Sequence, residues 1–172
     1  MAKVAFIMDD MFEDSEFQHP YEHLREAGHE AVIVGLEAGK KVKGKRGEVT
    51  ATTDKSIDEV SPDEFDALVI PGGYSPDKIR TNEGMVRLTK EIAAAGKPVA
   101  AICHAGWMLA EADLVKGKTV TSWPSIKTDL INAGANWVDQ EVVEDGNIIT
   151  SRKPDDLEAF TKTLLSQIEQ QS

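Results

Sequence analysis

Four short apolar runs, KVAFIM at 3–8, EAVIVG at 30–35, DALVIP at 66–71 and KPVAAIC at 97–103, are spaced widely enough for a helix to fit between most of them. Each run is apolar at successive positions. A strand with one wet face alternates apolar and polar residues, so these runs suit strands covered on both faces. Strands of that kind, alternating with amphipathic segments of helical length, give an α/β fold: a three-layer sandwich with a mostly parallel central sheet and helices on either side. At 172 residues the chain is read as one domain, 1–172. A domain of that size buries roughly two-thirds of the surface its unfolded chain exposes, without a disulfide or metal to staple it.

Local signals fill in the remaining elements. Phe17, Tyr21, Leu24 and Ala27 share one face of a helix that Gly28 ends, which puts Pro20 near the helix's first turn. Ser61, Pro62 and Glu64 form a capping box before DALVIP. A helix over about 83 to 95 faces Met85, Leu88 and Ile92 inward and stops at Gly96. EVVEDGNIITS reads as a hairpin turning at Asp145-Gly146. A last helix from near Pro154 presents Leu157, Phe160, Leu164, Leu165 and Ile168, and the tail EQQS is expected to fray.

Charge and cysteine content exclude several functions. With 30 acidic against 19 basic residues the formal charge is -11, which argues against a nucleic-acid backbone or an anionic membrane as partner. The opening MAKVAFIMDD meets acids after a short apolar run, so it is expected to be neither a signal peptide nor a membrane span, and the protein to be cytoplasmic. One cysteine, Cys103, makes no internal disulfide and no multi-thiolate metal site. His19 and His23 stand four apart on the first helix, but Pro20 lies between them and no third ligand is evident, so no metal is expected.

In AICHAGW the helical pattern of HAGWMLAEADL begins where the strand pattern of PVAAIC stops, so Cys103 falls in a sharp strand-to-helix turn. Small residues at Ala101 and Ala105 stand two positions to either side, the spacing of a nucleophile elbow with cysteine in the serine's place. A helix N-terminus there would lower the thiol pKa. The competing reading is a buried cysteine that fills space.

Ligands of an open parallel sheet bind beyond the carboxyl ends of its strands, and three further loops reach that edge. DDMFEDSEF brings Glu13, Asp14 and Glu16, mostly solvated, with Glu16 the candidate for a protonated carboxyl beside the sulfur. PGGYSPDKIR brings Gly72 and Gly73, either as oxyanion-hole amides or as a tight turn. TSWPSI brings Trp123, as a pocket wall or as packing. His104 is the natural base, yet adjacent residues of a forming helix point in different directions, so its ring and its backbone N–H are both candidates.

AICHAGWML, FEDSEF, IPGGYSPDKIR, TSWPSIKTDLINAGANWVD and SRKPDDL, in that order, resemble the PfpI branch of the ThiJ/PfpI superfamily over about residues 3 to 168. The resemblance implies a flavodoxin-like fold, a nucleophile at Cys103, a neighbouring His104, the elbow-supporting acid at Glu16, and oxyanion donors from the Gly73 region and the His104 backbone. It further implies that the acid after PGG, here Asp77, reaches the histidine of a neighbouring subunit. The family has glutamate there, so this acid is one methylene shorter. AGW at 105 to 107 also replaces the family's common GPQ. Members are described as intracellular cysteine peptidases, cofactor-independent glyoxalases acting on methylglyoxal, deglycases and stress chaperones, in dimers or hexamers.

The expected function is a cysteine-dependent stress-protection enzyme acting on small reactive aldehydes or on aldehyde-damaged protein. A PfpI-type peptidase is the alternative, and a redox-sensing or chaperone protein the alternative of another class.

Overall fold

The computed structural model describes residues 1–171. In chain order the elements are β1 (Lys3–Ile7), α1 (Asp14–Glu26), β2 (Glu30–Gly35), β3 (Lys41–Lys43), β4 (Thr50–Thr52), β5 (Lys55–Ser56), β6 (Ala67–Ile70), α2 (Ser75–Ile79), α3 (Glu83–Ala94), β7 (Val99–Ile102), α4 (Gly106–Glu111), β8 (Thr119–Val120), α5 (Lys127–Asn132), β9 (Asn136–Trp137), β10 (Val143–Asp145), β11 (Ile148–Ser151) and α6 (Leu157–Gln170).

The central sheet has the order β10-β11-β7-β6-β1-β2-β5, and every neighbouring pair is parallel except β10 with β11. The apolar runs are its strands, buried on both faces. Val4, Phe6, Val69, Ala100 and Ile102 pack under Phe17 and Leu24 of α1 and Phe160 and Leu164 of α6. Their strand neighbours Ala5, Ile7, Leu68, Ile70, Val99 and Ala101 pack under Met85, Leu88 and Ile92 of α3 and Met108 of α4. This is the flavodoxin-like three-layer sandwich. β1 is followed in sequence by β2 on one side of it, whereas β6 and then β7 lie on the other, so the winding reverses at β1. The carboxyl ends of β1, β6 and β7 therefore open beside a topological switch point, where such sheets bind ligands.

Several local expectations shift. α1 starts at Asp14, earlier than Pro20 suggested, because the Glu13 carbonyl accepts the amides of Glu16 (3.0 Å) and Phe17 (3.3 Å). Pro20 sits inside the helix, where it has no N–H for the carbonyl four residues back. Ala27 caps that helix and is exposed. The hairpin turns at Gly146-Asn147, one residue later than expected: Asp145 stays in β10, pairing with Ile148, while its carboxylate accepts the Thr119 amide at 2.8 Å. Of the tail EQQS, Glu169 and Gln170 continue α6 and Gln171 donates to the Asp66 carbonyl at 3.3 Å, while Ser172 lies outside the described residues.

Among the described residues no helix is long and apolar enough to cross a membrane. His19 and His23 stack with ring centroids 4.0 Å apart, and His19 Nδ1 lies 3.1 Å from Thr161 Oγ1. No group of three or more His, Cys, Asp and Glu side chains among those residues is arranged to hold a metal.

Candidate active site

Cys103 directly follows β7 and has φ 63, a left-handed conformation in a residue with a Cβ. Such a backbone costs of order 1–3 kcal/mol and persists only where its surroundings impose it. Ala101 and Ala105, both buried, let the chain turn that sharply against its neighbours, and the Cys103 carbonyl is tied by the Trp123 amide at 3.2 Å. The elbow expected from AICHAGW is present. The segment after the sulfur departs from expectation: Cys103–Ala105 form a 3-10 turn, and α4, only six residues long, begins at Gly106. A helix that short offers little dipole. Burial, followed by the charge of Glu16, pushes the Cys103 thiol up to about 12 rather than down.

The loop after β1 supplies the acid. Phe6, Phe12 and Phe17 stack edge to face, Phe6–Phe17 at 5.8 Å and Phe12–Phe17 at 5.5 Å, which fixes the start of α1 against the sheet. Glu16 there is fully buried, and its Oε1 accepts the Gly72 amide at 2.9 Å. Oε2 is buried with no partner of good hydrogen-bond geometry. The Cys103 thiol faces the same carboxyl in a looser contact. Burial and the neighbouring Glu13 charge push Glu16 up to about 8, so near pH 7 it holds a proton.

Cys103 and Glu16 are thus a coupled pair whose protons leave in two steps that belong to both groups. After the first step one proton remains, on sulfur or on oxygen. The backbone N–H groups of Gly73 and His104 point at the sulfur and favour the thiolate.

Glu13 and Asp14 were expected to be mostly solvated, and they are buried instead. The turn between β3 and β4 folds over them. Asp14 accepts the amides of Arg46, Glu48 and Val49 at 2.8, 3.0 and 2.8 Å, and Glu13 pairs with Lys45 at 3.0 Å and Arg46 at 2.6 Å. These backbone donors lower the Asp14 pKa although burial opposes them.

Gly72 and Gly73 divide the oxyanion assignment. The Gly72 amide is committed to Glu16 and is not free for a substrate oxygen. Its lack of a side chain is a packing requirement: a Cβ there would lie 2.8 Å from both Cys103 Cβ and the Ile102 carbonyl. Gly73, at φ 79, is bridged to Phe12, and its amide is the one aimed at the sulfur.

His104 stands where adjacency alone did not place it. Its Nδ1 lies 3.3 Å from Cys103 Sγ and its Nε2 lies 3.2 Å from Ser125 Oγ. The left-handed turn at Cys103 brings the ring beside the sulfur. Burial and Lys45 lower the His104 pKa, so the ring is neutral at pH 7 and able to take a proton. Trp107 and Trp123 flank it, with ring centroids 5.2 and 6.3 Å away. Trp107 is fixed by its Nε1 donating to Asp129 at 2.9 Å, and Trp123 is exposed at the rim.

Asp77 is exposed on α2 and lines a groove with Arg80, Val86, Arg87, Lys90 and Glu111, a lining that includes neither Cys103 nor His104. Within one chain the His104 nitrogens face Cys103 and Ser125, and Asp77 is not brought to them. Sequence reasoning missed Lys45, Arg46 and Ser125. The signal for the first two was available: GKRG is a doubly basic turn in an acidic chain.

A family profile described as DJ-1/PfpI family matches residues 2–167. "Protein/nucleic acid deglycase 2" of Escherichia coli is 50% identical over 164 residues, 95% of each chain. "Putative cysteine protease YraA" of Bacillus subtilis is 49% identical over 164 residues, 95% of this chain and 96% of that one. The crystal structure of a two-domain Anabaena variabilis protein with dj-1/thij/pfpi-like and ferritin-like domains superposes with TM-score 0.97 at 44% identity. The match covers 98% of this chain and 48% of that one, so this chain spans about half its length. The chain belongs to the DJ-1/PfpI family.

Proposed function

We propose that this protein is a thiol-dependent stress-protection enzyme that acts on reactive aldehydes, with small 1,2-dicarbonyls such as methylglyoxal or glyoxal, or protein groups they have modified, as substrates. The observation that carries this reading is the buried Cys103–Glu16 pair, a sulfur at a strained turn beside a carboxyl that holds its proton near neutrality. The deglycase name of the Escherichia coli relative agrees with it.

In the proposed reaction the Cys103 thiolate attacks the aldehyde carbon, a C–S bond forms, and the carbonyl electron pair moves to oxygen. The Gly73 and His104 amides are the donors for that oxyanion, and protonation gives a hemithioacetal. With a 1,2-dicarbonyl, neutral His104 removes the proton on the former aldehyde carbon and Glu16 supplies one to the neighbouring carbon. The result is a 2-hydroxyacyl thioester. Water cleaves it to the 2-hydroxy acid and restores the thiol, so the carbons exchange oxidation state internally and no external oxidant or reductant is consumed.

Peptide hydrolysis through an acyl-enzyme at the same sulfur is the second reading, favoured by the name of the Bacillus subtilis relative. Purified protein and Cys103→Ala, assayed for 2-hydroxy acid from methylglyoxal and for cleavage of an unfolded peptide, separate the two. The expected result is 2-hydroxy acid formation that Cys103→Ala abolishes. An activity that survives the substitution removes the thiol from it.

A further inference from the structure

The turn from Gly44 to Gly47 is held on the start of α1 by more than the three amides that Asp14 accepts. The Lys45 amide donates to the Phe12 carbonyl at 2.8 Å, and the Lys45 ammonium lies 3.0 Å from Glu13 Oε2 and 5.7 Å over the Tyr74 ring. Glu13 is 3% exposed, so it cannot turn out to water, and its second oxygen is taken by Arg46. An ion pair this constrained acts as a fixed dipole.

Its two ends act on the Cys103–Glu16 pair in opposite senses. The charged and titratable groups that act on Cys103, Glu16 and His104 include Glu13 from the start of α1 and Lys45 from the β3–β4 turn, with Arg46 of that turn on Glu13. Glu13 is the charge that most opposes ionisation of Glu16. Lys45 favours a negative charge on either member of the pair, Cys103 or Glu16, and a neutral ring at His104.

We propose that Lys45, held by Glu13, is a positioning residue for the Cys103 nucleophile: the ammonium favours loss of one proton from the Cys103–Glu16 pair, while the Glu13 carboxylate keeps the resulting charge off Glu16, so the proton they share rests on the Glu16 carboxyl and the negative charge on Sγ. The S–H bond breaks, an O–H bond forms at Glu16, and the electron pair stays on sulfur. Lys45 touches no reacting atom and acts through the sulfur. A turn far from the elbow in sequence thereby decides how much of the thiol is reactive near neutral pH. The proposal rests on reading Cys103 as the nucleophile, and it is tested on the thiol itself rather than on turnover.

The experiment is the pH dependence of Cys103 alkylation by iodoacetamide in the full chain, for the wild type, Lys45→Met, Lys45→Gln and Lys45→Arg. The Lys45 side chain is 30% exposed, so its removal opens no sealed cavity, and two neutral variants guard against an accident of folding in one. Both neutral variants are expected to move the alkylation midpoint up by about one pH unit and to slow alkylation at pH 7 about tenfold, the effect of losing one nearby cation. Lys45→Arg is expected to keep the wild-type midpoint. Neutral variants with the wild-type profile would overturn the proposal and leave Lys45 as a tether for the turn. A wild type that alkylates with the expected profile but makes no 2-hydroxy acid sinks the proposed reaction without touching this inference.

Discussion

The floor of the site and its rim are built differently. Beneath the sulfur, Glu16, Gly72, Gly73, Glu13 and Asp14 are all buried, and each is fixed by a neighbour from another part of the chain. At the rim, Ser125, Asp77 and Trp123 are exposed, and His104 is held from outside by one hydroxyl. A single chain thus contains what a reactive sulfur needs. Beyond Cys103, Glu16 and the Gly73 amide, the groups that would meet a substrate are left to the rim and, if Asp77 takes part, to a second copy of the chain.

The contrast is broken most severely from below. Gly72→Ala pushes a methyl into Cys103 Cβ and the Ile102 carbonyl, each 2.8 Å from where its Cβ would stand. Overpacking of that kind costs about 1–3 kcal/mol, visible in chemical denaturation. Displacing the sulfur by about an ångström lowers turnover by the order of 100-fold.

Glu16→Gln separates stability from activity. The Cys103–Glu16 pair first ionises at about 8, where an unfolded glutamate ionises at 4.5, so the stabilisation from that retained proton is whole below the unfolded value and is lost as pH rises through about 8. Glutamine cannot ionise. Denaturation at pH 5, 7 and 9 should show the variant gaining on the wild type as pH rises, by up to about 1.4 kcal/mol per pH unit crossed. Turnover should fall by about 100-fold or more for want of the proton.

At the rim the effects shrink. Ser125→Ala removes the partner of His104 Nε2, a neutral hydrogen bond worth about 0.5–1.5 kcal/mol, so turnover should fall by at most about tenfold and the unfolding free energy by no more than that amount. Asp77→Asn should be the mildest. Its unfolding free energy should stay within about 0.5 kcal/mol of wild type. If a second copy carries Asp77 to His104, activity loss appears only at protein concentrations where sedimentation shows self-association; a loss in the monomer would place Asp77 in the chain's own site.

The same division sets what was legible in the sequence. The sheet strands followed from KVAFIM, EAVIVG, DALVIP and KPVAAIC, because burial on both faces leaves a continuous apolar run that no exposed segment imitates. Ala101 and Ala105 marked the elbow, because the tight backbone excludes anything larger. Glu16 was identifiable as the acid near the sulfur. That Glu13 and Asp14 are buried beside it was not, since their partners come from the GKRG turn and no local pattern links segments so far apart. The glycines of PGG were open to two readings, oxyanion amides or a tight turn, and only the register of α1 against β6 sends the Gly72 amide to Glu16. Helical geometry left the His104 ring and its backbone N–H both open, and the φ of 63 at Cys103 brings the ring to the sulfur.

The central claim is that Cys103 and Glu16 ionise as a pair that leaves the charge on sulfur. The most direct measurement is the rate of Cys103 alkylation by iodoacetamide across the neutral and alkaline range in the wild-type protein. The account predicts a rate that rises with the pair's first ionisation, near about 8, and then levels off, because the proton left behind sits on Glu16. A rate that keeps climbing toward about 12, as for a buried thiol that ionises only after Glu16 has lost its proton, would contradict it.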